Sequence, residues 1–306
     1  MMDNGTGEIA FDSGESVGPA LTLKVFLASP LAGGSASPVP GGSPWSIFNL
    51  GSRDIGGQMF VATLRFEDDA LRMVELSMAP ATASSSWDDW SEEKELAAKA
   101  RHDVWLEAQL GSLPWWRPWG EVTSSYDPRG GASTIQIIYF ARAPVAALAA
   151  RAVTMDASTG DLSLDTGERI GPRLTRTGFL ASPIAGGATL RAHPGAGQWS
   201  AFAVHVGQPG GQAFSLALYF DGETLRQIVL SIIGSHEPPA ADYRRELTDD
   251  AALARLVRTN ERARKARHDA WLQAQLGAPP WSYKWGTIAS SYNASACQGT
   301  ISVAYR

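Results

Sequence analysis

Residues 99–111 read KARHDVWLEAQLG, and residues 265–277 read KARHDAWLQAQLG. A match this long within one chain marks a repeat, and it extends outward on both sides. Met2-Asp3 recurs as Met155-Asp156, Thr6-Gly7 as Thr159-Gly160, and Val17-Gly18-Pro19 as Ile170-Gly171-Pro172. Phe26-Leu27-Ala28-Ser29-Pro30 recurs as Phe179-Leu180-Ala181-Ser182-Pro183. The chain therefore reads as one domain present twice: a first repeat over 1–140, an Ala-rich join over 141–154, and a second repeat over 155–306. The second copy opens on Met155, as a duplicated and fused reading frame would.

Each copy follows one pattern. Ile9 to Phe11 with a turn at Ser13-Gly14 predicts a short opening hairpin. Thr22 reads as the N-cap of a short helix through Ala28, stopped by Pro30. Residues 33–43, GGSASPVPGGS, read as a surface loop; with no Lys they form no phosphate-binding loop. Strands take over from Trp45. Phe60, Ala62, Leu64 and Phe66 alternate with Met59, Val61, Thr63 and Arg65, and the second copy places Phe214, Leu216, Leu218 and Phe220 on the same face. A turn at Glu67-Asp68-Asp69 leads into a return strand carrying Val74 and Leu76.

The helix comes next, with Ser91 as its N-cap and Glu92 and Glu93 in the first turn, where the helix dipole favours acids. About 12 residues are inserted before it in the second copy, so that helix should start near Thr248-Asp249-Asp250 and reach roughly 42 Å at 1.5 Å per residue. A closing hairpin follows: Trp119 to Tyr126, a DPRGG turn at 127–131, and a return through Ile135, Ile137 and Tyr139. The second copy replaces the turn with NASAC at 293–297, which predicts a looser tip. Strands, helix, strands predicts an α+β fold of two tandem homologous domains, each an antiparallel sheet with one long helix packed across a face. The pair should behave as a pseudo-dimer within one chain.

Composition narrows the function classes. With 44% hydrophobic and 19% charged residues over 306 positions the chain is an ordinary globular protein, and each copy can bury its own core. A net charge of −5 argues against general nucleic-acid binding, which needs a basic face. Cys297 is the only cysteine, which excludes an intramolecular disulfide and a cysteine-based zinc site. No apolar run approaches a membrane span, and the N-terminus lacks a basic-then-apolar leader, so the expectation is a cytoplasmic protein without membrane or nucleic-acid partners.

The repeated helix carries His, Asp, Trp and Gln. At 100° per residue His102, Trp105, Leu106 and Gln109 share one side, and Ala97, Ala100, Val104 and Ala108 another. The small-residue stripe suits the sheet, which would leave the Trp side beneath the closing hairpin. His102 and His268 would be the acid–base groups of an enzyme, but Asp103 diverges from His102 by a third of a turn, and histidines bonded to backbone at a helix–hairpin junction are the preferred reading. The five histidines form no i,i+4 ligand pair, and His236-Glu237 runs into Pro-Pro, so no metal or cofactor is expected. No catalytic residue is assigned. Trp105, Trp119, Trp271 and Trp285 recur and read as core.

The copies differ just before the helix. The first carries SSSWDDWSEE at 84–93, and its Trp87, Asp88, Asp89, Trp90, Glu92 and Glu93 are the candidate partner-binding residues, large aromatics among acids that suit a basic protein partner. The bland alternative folds Trp87 and Trp90 back over the helix start.

The Phe-Leu-Ala-Ser-Pro segment, the repeated helix and the Trp-Gly hairpin with its DPRGG tip resemble an uncharacterised family of small bacterial cytosolic proteins, similar to polymorphic-toxin immunity proteins. The resemblance covers both repeats. It implies a protein that neutralises a basic toxin or effector by direct contact. The alternatives are a two-partner adaptor or effector chaperone, and an enzyme using a helix–hairpin histidine.

Overall fold

The computed structural model describes residues 1–33, 37–39, 45–79, 90–111, 115–140, 152–191, 199–207, 213–233, 244, 246–294 and 297–306. The chain divides into two compact units, Met1–Ala141 with Pro238–Val257, and Arg142–Glu237 with Arg258–Arg306.

The first unit opens with the hairpin β1 (Ile9–Ala10) and β2 (Ser16–Val17), followed by the short helices α1 (Leu23–Leu27) and α2 (Pro30–Gly33). Thr22 caps α1, its hydroxyl accepting the Val25 N–H. Strands β3 (Ser37–Val39), β4 (Trp45–Ile55), β5 (Gln58–Glu67) and β6 (Ala70–Met78) form a meander. Helix α3 (Glu92–Leu110) leads to β7 (Trp116–Arg117), β8 (Gly120–Asp127) and β9 (Ala132–Tyr139). The sheet runs β3-β4-β5-β6-β9-β8-β7, antiparallel throughout, so the closing hairpin inserts β9 against β6.

The second unit repeats the order. A three-stranded sheet of β10 (Val153–Met155), β11 (Leu162–Leu164) and β12 (Arg169–Ile170) precedes α4 (Arg176–Leu180) and a 3-10 turn at Pro183–Gly187. Strands β13 (Thr189–Arg191), β14 (Trp199–Gly207), β15 (Ala213–Asp221) and β16 (Thr224–Ile233) form its meander. Helix α5 (Asp250–Leu276) then leads to β17 (Ser282–Tyr283), β18 (Gly286–Asn293) and β19 (Gln298–Tyr305), in the sheet order β13-β14-β15-β16-β19-β18-β17. The fold is thus α+β, built on two large antiparallel sheets with a small opening sheet before each. One long helix for each domain is not reproduced as such, because the boundary between units falls inside α5, after Val257.

The alternation in β5 buries Phe60, Ala62, Leu64 and Phe66, and its counterpart buries Phe214, Leu216, Leu218 and Phe220. The return strand breaks phase, since Leu71 is buried along with Val74 and Leu76. A bulge at Arg65/Phe66 against Leu71 and Met73 absorbs the extra residue, and one at Tyr219/Phe220 does the same for Leu225 and Ile228. The loop expected over 33–43 is corrected in part: Ser37–Val39 pairs with β4. Pro38 is tolerated there because β3 is an edge strand, where a missing N–H breaks no ladder. The small-residue stripe is also corrected. Ala97 and Ala100 are buried, but Val104 is half-buried and Ala108 is exposed, because Leu96, Leu106 and Leu110 offer more apolar area and set the buried face.

A pair of hydrogen bonds ties each opening segment to the closing hairpin. Tyr139 donates its hydroxyl to Gly7 O (2.9 Å) and Trp119 its indole N–H to Asn4 O (3.0 Å). Tyr305 and Trp285 do the same to Gly160 O and Ala157 O, each at 2.9 Å. Gly160 sits at φ +77°, and a Cβ there would lie 2.6 Å from the Trp285 ring. Gly160→Ala should therefore cost at least about 2 kcal/mol, through both left-handed backbone and overpacking. Urea unfolding of the full chain checks this, and an unchanged midpoint would contradict it.

Candidate functional site

The repeated helix is accounted for residue by residue. Ser91 caps α3 by accepting the Lys94 N–H (3.2 Å), ahead of Glu92, Glu93 and Glu95 in the first turn. Lys99 pairs with Asp103 at 2.8 Å, and Lys265 with Asp269 at 2.5 Å. Gln109 Oε1 accepts the Met2 N–H (3.1 Å), and Gln275 Oε1 accepts the Met155 N–H (3.4 Å). Gly111 ends α3 at φ 79° and its carbonyl accepts the Trp115 indole; Gly277 at φ 78° does so for Trp281. Trp105 packs edge-on to Phe60 of β5, with centroids 4.8 Å apart, rather than beneath the closing hairpin. Trp271 makes the equivalent contact with Phe214.

His102 and His268 are 0% exposed. His102 Nε2 accepts the Met78 N–H at 3.2 Å, and His268 Nε2 accepts the Ile232 N–H at 3.0 Å. Both donors lie at the end of the meander, where β6 and β16 outrun their pairing with β9 and β19. An accepting Nε2 puts the hydrogen of the neutral ring on Nδ1, and in both copies that buried Nδ1 has no partner among the described residues. Each ring is thus buried with its acceptor nitrogen engaged by a strand amide. These histidines hold a helix to a strand end.

Glu95 escaped the sequence reading. Its carboxylate accepts the Ser133 N–H (2.7 Å) and its carbonyl the Ser133 hydroxyl (2.6 Å), clamping the tip of the closing hairpin. Glu261 does the same for Gly299 N–H (3.0 Å). The available signal was Glu95 recurring as Glu261 at the helix-to-helix spacing. The copies differ in compensation: Arg264 pairs with Glu261 at 2.7 Å, whereas Ala98 stands in its place in the first copy. Burial raises the Glu95 carboxyl above the ordinary range, the bonds from Ser133 opposing it.

The candidate partner-binding residues divide. Trp87, Asp88 and Asp89 lie outside the described residues. Trp90 is 43% exposed, and its indole N–H donates to Gly131 O at 2.7 Å, which fixes the ring beside the DPRGG tip. Glu92 is half-buried and Glu93 exposed, with Lys94 and Arg129 exposed on the same helix start and tip. The second copy has no counterpart: Leu256 of α5 stands where Trp90 would fall, and Cys297, at φ 46°, replaces Gly131. The looser tip expected there falls partly on residues 295–296, outside the described residues.

Among the described residues, no group of three or more His, Cys, Asp or Glu is placed to hold a metal ion, and no helix is long and apolar enough to cross a membrane. No protein family matches the chain, and comparison with curated proteins and with solved structures also finds no match.

Burial lowers the His102 pKa to about 3, with Lys99 and Arg101 adding to the effect. Burial lowers that of His268 to about 4, with Arg264 and Arg267 adding and Asp269 opposing. Each ring takes up a proton more readily unfolded, so its stabilisation is complete above the unfolded value of about 6.5 and is lost as pH falls toward the folded one. At about pH 4.5 the loss should be on the order of 2–3 kcal/mol per histidine, offset in part by Glu95. Chemical unfolding between pH 7.5 and 4.5 checks this. The His102→Gln/His268→Gln variant should be weaker at neutral pH but flatter in acid, and parallel profiles would contradict the assignment.

Proposed function

We propose that the chain is a protein-binding module, an immunity protein that neutralises a basic toxin or effector in the cytoplasm by direct contact. The observation that carries this reading is Trp90. It is a large aromatic, exposed yet fixed by a hydrogen bond to Gly131 O, and an aromatic held in place on the surface loses little entropy on binding. Glu92 and Glu93 beside it favour a basic partner. The burial of both histidines, each with Nε2 bonded to a strand amide, supports a binding role over an enzyme that uses them. Each copy is proposed as a domain of its own, built on one long helix across its sheet and derived from a duplicated frame. The asymmetric additions before the helices would then be where function diverged.

The test is co-purification of the full chain with the protein encoded beside it, followed by titration. A complex tighter than micromolar is expected, with Trp90→Ala weakening it at least about tenfold while leaving thermal stability nearly unchanged. No complex at micromolar concentrations, or a complex indifferent to Trp90→Ala, would overturn the reading. Stoichiometry separates the second reading: simultaneous binding of two different partners would favour an adaptor.

A further inference from the structure

The closing hairpin of the second unit leaves part of a sheet edge open. Strand β18 pairs with β19 along its whole length, but on its other side β17 reaches only Gly286 and Thr287. The Ile288 N–H still finds Trp281 O at 2.9 Å. Alternate residues of an antiparallel strand bond to opposite neighbours, so the next outward-facing backbone groups belong to Ser290 and Tyr292. No strand meets them among the described residues. The flanking Ala289, Ser291 and Asn293 are exposed.

Edges are commonly protected by charge, proline or a covering element. The sequence of β18, GTIASSYN, has neither charge nor proline. The corresponding strand β8 carries an exposed acid that β18 lacks, Asp127 at the position of Asn293. The surroundings differ in the same sense. In the first unit Leu96 and Tyr126 are buried, whereas in the second their counterparts are an exposed Arg262 and a half-buried Tyr292, the guanidinium 5.7 Å from the ring centroid.

The charge at this edge is cationic. Glu261 is buried and committed to Arg264 and the Gly299 N–H, and Lys265 is paired with Asp269. Arg262 is exposed, with its guanidinium over the Tyr292 ring. We propose that the β18 edge at Ser290 and Tyr292, beside Arg262, receives an extended acidic segment of a partner protein by strand addition. Backbone bonds to Ser290 and Tyr292 supply the pairing, and Arg262 selects a carboxylate on the added strand. This edge lies in the second unit and is independent of Trp90, so Trp90→Ala should leave it intact.

The test uses the nitrogen-15-labelled full chain and two short capped peptides of alternating Val and Thr, one with two Glu substitutions and the other with two Lys. The Glu peptide should shift the Ser290 and Tyr292 amides and slow their hydrogen exchange, binding at least about tenfold more tightly than the Lys peptide. Ser290→Pro removes an outward donor without touching the β19 ladder and should abolish binding; Arg262→Glu should reverse the preference. Both variants are first shown to melt as the parent does, and Arg262→Glu, a surface change, decides the matter if Ser290→Pro does not fold. Equal binding of both peptides, no perturbation at millimolar concentration, or binding indifferent to whichever variant folds would overturn the proposal. So would competition by a short DNA oligonucleotide with no loss in Ser290→Pro, which would mark a general polyanion surface.

Discussion

A strand end that outruns its neighbour leaves a backbone N–H with nowhere to go, and the fold depends on how that donor is met. In each sheet β9 or β19 pairs with the middle of the meander's last strand and then diverges, exposing the amide of Met78 or Ile232. A buried, unmet amide costs on the order of 1–3 kcal/mol. The imidazole of His102 or His268 meets it, and to do so the ring must be neutral, buried and carried on a helix at a fixed height. The same helix then places Gln109 or Gln275 on the opening segment and Glu95 or Glu261 on the hairpin tip. One helix thus satisfies backbone donors from three separate parts of its copy.

That explains why the repeat is most faithful where it looks most chemical. Histidine, glutamine and glutamate recur because each accepts a specific backbone hydrogen, and an apolar replacement would strand the donor. The leucines beside them set the buried face. What differs between copies lies off these contacts: Trp90 against Leu256, Gly131 against Cys297, Leu96 against Arg262. These three differences lie at the helix start and hairpin tip, and none removes an acceptor of the buried donors.

Much of this was legible in the sequence. The period-two run at Phe60 to Phe66, the Ser91 cap and the paired hairpins follow from local rules that tertiary structure did not override. β4 was less legible, because its bulge at Asn49 and Gly51 breaks the alternation. Pro38 concealed β3, since a proline reads as a loop unless the strand is known to be an edge. The buried face of α3 was misjudged because an alanine stripe and a leucine stripe compete on one helix, and only the shape of the sheet decides between them. The roles of Glu95 and of the open β18 edge depend on which strand lies beside which, and residue spacing carries no record of strand order.

The imidazole nitrogens of His102 and His268 give the most direct test that the repeated helix is scaffold rather than active site. Nitrogen-15 NMR of the labelled rings should find both in the neutral Nδ1–H form, with a resolved coupling from Nε2 to the Met78 and Ile232 amides and no change from pH 7.5 to 5.5. An Nε2–H tautomer, or titration of either ring near the ordinary histidine value of about 6.5, would contradict it.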